Sequence, residues 1–308
     1  MSFCVNRGCF STLIINFVQN YKILMKTAEE LFEALLDLAF AEDIGDGDHT
    51  TLSTIPADAM GEARLLVKED GVLAGVERGI AVLKRLDPTI ETEVFITDGT
   101  PVKKGDVAFI ARGPQRSLLT AERTMLNIMQ RMSGIATLTA RYQKELEGTK
   151  ARVLDTRKTT PGMRILEKEA VATGGGANHR MGLHDMILIK DNHIDFAGGI
   201  EKAIDRARDY CRKNGKNLKI EVETRSLDDI RRVLEHGGVD RVMFDNFTPK
   251  LTKEAVALVA GRVETESSGG ITLENLREYG LTGVDFISVG ALTHSVKGLD
   301  LSFKAIKK

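Results

Sequence analysis

From residue 25 onward the hydrophobic positions change period in a way that divides the chain. The stretch "MKTAEELFEALLDLAFAEDIG" repeats apolar residues at helical spacing, with Leu31, Leu35, Leu38 and Ala39 on one face, and Thr27 followed by Glu30 reads as a capping box. Between about residues 50 and 112 the pattern becomes short apolar runs broken by Gly and Pro. Alternation in "TEVFI" and "DVAFIA", separated by Asp-Gly and Lys-Gly turns, predicts antiparallel strands, while "GVERGIAVLKRLD" returns to the helical period. This region reads as a small α+β unit. Leu118 to Leu146 then form a long helical pattern that links two domains, with an interruption expected at Ser133-Gly134.

Beyond that helix, strand-like runs "RVLD", "DMILIK", "LKIEVE", "DRVMFD", "RVETESS" and "DFISVG" alternate with helical segments such as "GGIEKAIDRARDYCRKN" and "SLDDIRRVLEHG". Strand-then-helix alternation implies parallel strands joined by right-handed crossovers, and the regular recurrence predicts a closed or nearly closed α/β barrel. The polar residues gather at the strand C-termini: Asp155 to Lys158, Lys190 to Asn192, Glu221 and Glu223, Asp245-Asn246, Ser267 to Gly270, and Ser288 to Ala291. In a parallel barrel these ends share one face, where active sites are built.

Composition narrows the chemistry. The 308 residues are 42% hydrophobic and 28% charged with a net charge of −1, an ordinary globular balance that argues against a general nucleic-acid or membrane-surface binder. Any anion site must be local. Cys4, Cys9 and Cys211 form neither a disulfide framework nor a metal cluster, which fits a reducing cytoplasm. "CFSTLIINFV" is too short to span a membrane and lacks a following cleavage pattern, so residues 1–24 read as an extension and the functional unit is expected to begin near Met25.

Arg157, Lys158, His179, Arg180 and Lys190 fall in two adjacent strand-end loops, where they would converge as a cationic group suited to a ligand with several anionic groups. Arg164 and Lys168, on the following helix, read as solvated surface charge. The glycines of "TGGGANHRMGLHD" allow close backbone approach to a ligand, and the spacing of His179, His184 and His193 does not suit a metal. "ESSGGITLENL" and "SVGALTHS" are small-residue turns on consecutive final strands, an arrangement suited to phosphate. Glu223 and Asp245 end neighbouring strands opposite the cations; they could bind sugar hydroxyls, hold Mg²⁺ on a diphosphate, or steady a developing cation. Glu221 and Glu223 lie two apart and share a face, so both are expected inside the barrel.

"EDIGDGDHTT", "TAERTMLNIMQRMSGIAT", "DTRKTTPGMR", "GGGANHRMGLHDMILIKDNH", "EVET", "FDNF", "ESSGGI" and "VGALTHS" together resemble the quinolinate phosphoribosyltransferase family, from about Met25 to the C-terminus. The resemblance implies an N-terminal α/β sandwich domain over residues 25–132 and a C-terminal open α/β barrel over 133–308, whose extreme C-terminus packs back on the first domain. It implies transfer of phosphoribose from phosphoribosyl pyrophosphate to the ring nitrogen of quinolinate with decarboxylation, giving nicotinate mononucleotide, CO₂ and diphosphate for NAD biosynthesis. By resemblance Thr156, Arg157, Lys158, His179, Arg180 and Lys190 line the quinolinate side. Glu223, Asp245, Ser268, Gly269, Gly270, Val289, Gly290 and Ala291 hold the phosphoribosyl end. Lys158, Lys190, Glu223 and Asp245 are the implied catalytic set, with Mg²⁺ carried mainly by the diphosphate and Glu223 or Asp245 as candidate ligands. "AERT" places at Arg123 an arginine that the family contributes from a partner subunit, implying a homodimer or a hexamer of three dimers. The alternatives are a related phosphoribosyltransferase for another pyridine or heterocyclic acid, and a non-catalytic phosphosugar sensor.

Overall fold

The computed structural model describes residues 26–306; the extension 1–24, with Cys4, Cys9 and "CFSTLIINFV", lies outside them. The chain forms two compact units that divide between Gly45 and Asp46. In the first, helix α1 (Ala28–Ile44) begins with the expected capping box: Thr27 Oγ1 accepts from Glu30 N at 3.2 Å, and Glu30 Oε2 accepts from Thr27 N at 2.6 Å. Its buried positions are Phe32 and Leu36, whereas Leu31 and Leu38 are exposed, contrary to the face expected. Apolar residues occur nearly all round this helix, so spacing alone did not single out the bulky Phe32/Leu36 pair one turn apart.

The second unit opens with α2 (His49–Thr54), β1 (Met60–Val67), β2 (Gly71–Val72), α3 (Val76–Leu86), β3 (Glu91–Val94), β4 (Pro101–Val102) and β5 (Val107–Pro114). Strands β1, β5 and β3 are antiparallel, as the alternation predicts, and Ala63, Leu65 and Val67 turn one face of β1 into the core. Helix α4 (Gln115–Glu145) follows as 31 unbroken residues, about 46 Å of helix. Ser133-Gly134 does not interrupt it. Ser133 Oγ both accepts from Ala74 N and donates to Ala74 O at 3.0 Å, and a Cβ at Gly134 would collide with the backbone of Lys297 and Gly298. The small residues are there to let two chain segments approach the helix, not to end it.

The barrel comprises β6 (Arg152–Leu154), α5 (Arg164–Thr173), β7 (Met186–Ile189), α6 (Asp191–Ala197), α7 (Ile200–Lys213), β8 (Lys219–Thr224), α8 (Leu227–His236), β9 (Arg241–Asp245), α9 (Pro249–Val259), β10 (Glu264–Ser268), α10 (Leu276–Gly280), β11 (Phe286–Ser288) and α11 (Ala291–His294). All six predicted strands are present and parallel, in the order β6-β11-β10-β9-β8-β7. Strands β6 and β7, consecutive in the chain, stand at opposite edges with no ladder between them, so the sheet is open there. A final strand, β12 (Leu301–Ala305), leaves the barrel and pairs antiparallel with β1 from Ala63↔Ala305 to Val67↔Leu301. Among the described residues no helix is long and apolar enough to cross a membrane.

Replacing Gly134 by Ala distinguishes helix propensity from tertiary contact. Ala would favour an exposed helix by about 1 kcal/mol, but the collision with Lys297 should instead destabilise the fold by about 1–3 kcal/mol, read as a lower urea midpoint at unchanged slope.

Candidate active site

The C-terminal ends of the barrel strands surround one cavity of about 800 Å³. It is lined by Thr156, Arg157 and Lys158 after β6, by Lys190 after β7, and by Glu223 and Asp245 from β8 and β9. Ser268, Gly269 and Gly270 follow β10, Gly290 and Ala291 follow β11, and His179 and Arg180 reach in from the loop between α5 and β7. Two expected residues are not on its wall. Val289 is 1% exposed, with its N–H donated to Leu154 O along the β11/β6 seam, and Arg123 sits exposed on α4 outside the cavity. The wall also includes Asn246 and Ser288, which the strand-end pattern places on this face, and Glu266 and His294, which residue type alone did not single out. Their signal was positional: Glu266 precedes Ser268 by two, as Glu221 precedes Glu223, and His294 lies one helical turn beyond Gly290.

A buried anchor sets the cationic loops. Asp155 and Lys168 are both 0% exposed and form an ion pair; Asp155 Oδ1 also accepts from His179 N at 2.8 Å, and Lys168 Nζ donates to His179 O at 3.1 Å. Lys168 is therefore no surface charge, because its helix position faces inward onto the end of β6. Burial pushes Asp155 up and Lys168 down, and their mutual contact opposes both shifts. Nor is Arg164 a bystander: Nε donates to Thr159 Oγ1 at 3.0 Å and Nη1 to Met181 O at 3.2 Å, joining the two loops. From α4, Arg131 bonds Glu167 Oε1 at 2.9 Å and the carbonyl of Thr293, whose hydroxyl donates to Lys158 O at 2.9 Å.

The expected five-cation group contains four cations. His179 Nδ1 accepts the Arg180 N–H at 2.8 Å, so the ring proton resides on Nε2, which donates to Glu221 Oε2 at 2.9 Å. Burial lowers its pKa further, and the imidazole is neutral. Burial first, and then the like charge of Arg157, lower the pKa of Arg180, and its Nε is buried without an acceptor among the described residues. An anion entering here relieves the repulsion between Arg157 and Arg180. Lys190 Nζ contacts Glu223 Oε2 at 3.1 Å, while Asp245 Oδ2 accepts from Asn246 Nδ2 at 2.9 Å. Asn246 adopts φ +57°, and a Cβ at Gly269 (φ +96°) would strike its side chain, so this turn requires glycine.

Four cations, two carboxylates and two small-residue turns around one barrel mouth define a two-domain α/β-barrel protein whose cavity is suited to a small polyanion. The sequence profile described as quinolinate phosphoribosyl transferase, C-terminal domain, matches residues 135–304, and that of the N-terminal domain matches 48–133, the two meeting within α4. The chain is 45% identical over 287 residues to quinolinate phosphoribosyltransferase (decarboxylating) 1b of Nicotiana tabacum, covering 88% of this chain and 81% of that protein. It matches the chloroplastic nicotinate-nucleotide pyrophosphorylase (carboxylating) of Arabidopsis thaliana at 45% over 287 residues, 88% and 82% of the two chains. The crystal structure of NadC from Streptococcus pyogenes superposes with a TM-score of 0.85 at 36% identity, covering 92% of this chain and 100% of that one. The chain belongs to the quinolinate phosphoribosyltransferase family.

The anchor is testable by a double-mutant cycle. Lys168→Met alone leaves Asp155 buried and unpaired and should cost about 3–5 kcal/mol, whereas adding Asp155→Asn should restore part of the loss. Because burial raises the pKa of Asp155, the penalty of the single variant should shrink as pH falls and protonation neutralises the orphaned carboxylate; urea unfolding of the four proteins across pH measures both effects.

Proposed function

We propose that this chain transfers the phosphoribosyl group of phosphoribosyl pyrophosphate to the ring nitrogen of quinolinate, releasing diphosphate and CO₂ and forming nicotinate mononucleotide. The observation that carries this reading is the convergence of Arg157, Lys158, Arg180 and Lys190 on one cavity that also holds Glu223 and Asp245. Two carboxylates on one ring need this density of donors.

The mechanism follows from charge. Clamping the dicarboxylate by the cations presents the pyridine nitrogen to the ribose, so positioning supplies much of the rate. As the C1–O bond breaks, the sugar becomes cationic and Glu223, already fixed by Lys190, stabilises it. The small-residue turns at Ser268 to Gly270 and at Gly290-Ala291 offer backbone N–H groups to the 5-phosphate. Once ribosylated, the ring nitrogen is cationic; the adjacent C–CO₂ bond then breaks, its electron pair stays on the ring carbon beside that charge, and a proton replaces the CO₂.

Mg²⁺ fits this mouth because Asp245, half-buried on the wall, offers the hard carboxylate oxygen that the ion prefers, whereas Glu223 is engaged by Lys190. When bound it would neutralise charge on the departing diphosphate. Arg123, exposed and away from its own chain's cavity, is read as entering the mouth of a second copy in a homodimer or a trimer of dimers. We read the activity as cytoplasmic, in keeping with Cys211 being unpaired among the described residues.

Diphosphate and CO₂ release with quinolinate, and none with nicotinate, is the expected assay result; turnover of nicotinate instead would make this an enzyme for a monocarboxylate, and release with neither acid would favour a sensor. Arg157→Ala should raise the KM for quinolinate about 10- to 100-fold, the loss of a charge-assisted contact, with a smaller change for phosphoribosyl pyrophosphate. Arg123→Ala mixed with Lys190→Ala should recover part of the activity through hybrid dimers, and no recovery after demonstrated subunit exchange would show that the site is not shared.

A further inference from the structure

One turn of α4 links two sides of the cavity rim through contacts that the mechanism above does not use. Arg131 donates Nε and Nη2 to Glu167 Oε1 at 3.1 and 2.9 Å, and Nη2 also bonds Thr160 Oγ1 at 3.3 Å and the carbonyl of Thr293. Glu167 is 0% exposed, and its second oxygen accepts from Thr160 N at 3.2 Å. Thr293 is likewise fully buried; its hydroxyl donates to Lys158 O at 2.9 Å and lies 3.3 Å from Gly290 O. The guanidinium therefore closes a chain from the loop after β6, which carries Arg157 and Lys158, to the turn after β11, which carries Gly290 and Ala291. Its neighbours on α4 hold the segment that follows: Gln130 donates Nε2 to Leu301 O at 2.9 Å and accepts from Leu299 N at 3.0 Å, and Gly134 leaves room for the Lys297 carbonyl. At the rim Lys158 crosses Gly290 so closely that a Cβ there would stand 3.1 Å from Lys158 Cδ. Arg131, Glu167 and Thr293 themselves are not on the cavity wall.

We infer that Arg131 and Thr293 are positioning residues that fix the spacing between the acid-binding loop and the phosphate-binding turn, and so the alignment of the two substrates. This rests on the phosphoribosyl-transfer reading above. A buried charge pair adds little net stability over an apolar pair of the same size, so Arg131 and Glu167 are better explained by the register they impose. With the chain broken, Arg157, Arg180 and Lys190 still face the acid, and Ser268 to Gly270 still face the phosphate. Each substrate is then bound but poorly aligned with the other. The loss falls on kcat, because in-line geometry matters only once both are held.

Thr293→Val removes the hydroxyl and keeps the branched side chain. Arg131→Lys keeps a charge beside Glu167 but loses the planar fork that reaches Glu167, Thr160 and Thr293 at once. Each should lower kcat about 10- to 100-fold while both KM values stay within about threefold of wild type. Thr293→Ser, which returns the hydroxyl, should recover most of kcat. Arg131→Lys combined with Thr293→Val should cost little more than Thr293→Val alone, because both break one chain of contacts. Amide hydrogen exchange should quicken at residues 156–160 and 290–296 in both single variants and stay unchanged in β8 and β9. A lower melting temperature with unchanged kcat would make the network a folding element only, and a higher KM at constant kcat would make it part of substrate binding. Either result overturns the proposal, as does failure of both variants to fold; if one folds, its kinetics decide. Absence of diphosphate release by the wild-type protein with quinolinate and phosphoribosyl pyrophosphate would defeat the functional reading instead. Exchange alone then decides on the link: quickening in both segments upholds it, and quickening in one or neither overturns it.

Discussion

A carboxylate with no exposed surface, Asp155, stands where the first barrel strand ends, and it holds the ammonium of Lys168 and the backbone N–H of His179 together. The rim above depends on that arrangement. Arg157 and Lys158 follow Asp155 directly, His179 and Arg180 are tied to it through the backbone, and Lys168 closes the circuit by bonding the His179 carbonyl. A buried charge pair is a costly element by itself, so its return is geometric: together with the parallel bridge Leu154↔Ala177 it places two loops on a common floor.

On that floor the electrostatics are finely divided. A nearly neutral chain can still present a strongly cationic mouth because the charges are local and partly desolvated, which makes Arg157 and Arg180 unfavourable neighbours until an anion separates them. The counter-charges lie in two tiers. Glu223 and Asp245 stand in the wall where a developing positive charge can meet them, whereas Glu221 is fully buried behind the imidazole of His179.

Much of this was legible before any coordinates. The six barrel strands announce themselves as apolar runs ending in polar residues, and the mouth follows because parallel strands share a C-terminal face. Three expectations failed for a common reason, namely that they assigned local meaning to long-range contacts. Ser133-Gly134 looks like a break until Ala74 and Lys297 are placed against it, and Lys168 looks solvated until Asp155 is brought beneath it. His179 looks cationic until its Nε2 proton is traced to Glu221, 42 positions away. On α1 the difficulty was different: apolar residues on several sides left the periodicity with more than one acceptable face.

The return of β12 to β1 gives the polypeptide a closed circuit, its last strand lying beside its first across more than two hundred intervening residues. Until residue 305 has left the ribosome, one edge of β1 carries an unfilled row of hydrogen-bonding groups, and the first sheet lacks its terminal strand. Completion of this sheet therefore waits until Leu301–Ala305 has been made, and is slow in the sense that a large loop must close before its contacts reward it. A chain not yet extended to β12 therefore exposes a strand edge, and loss of Leu301–Ala305 strikes a strand laid down more than two hundred residues earlier.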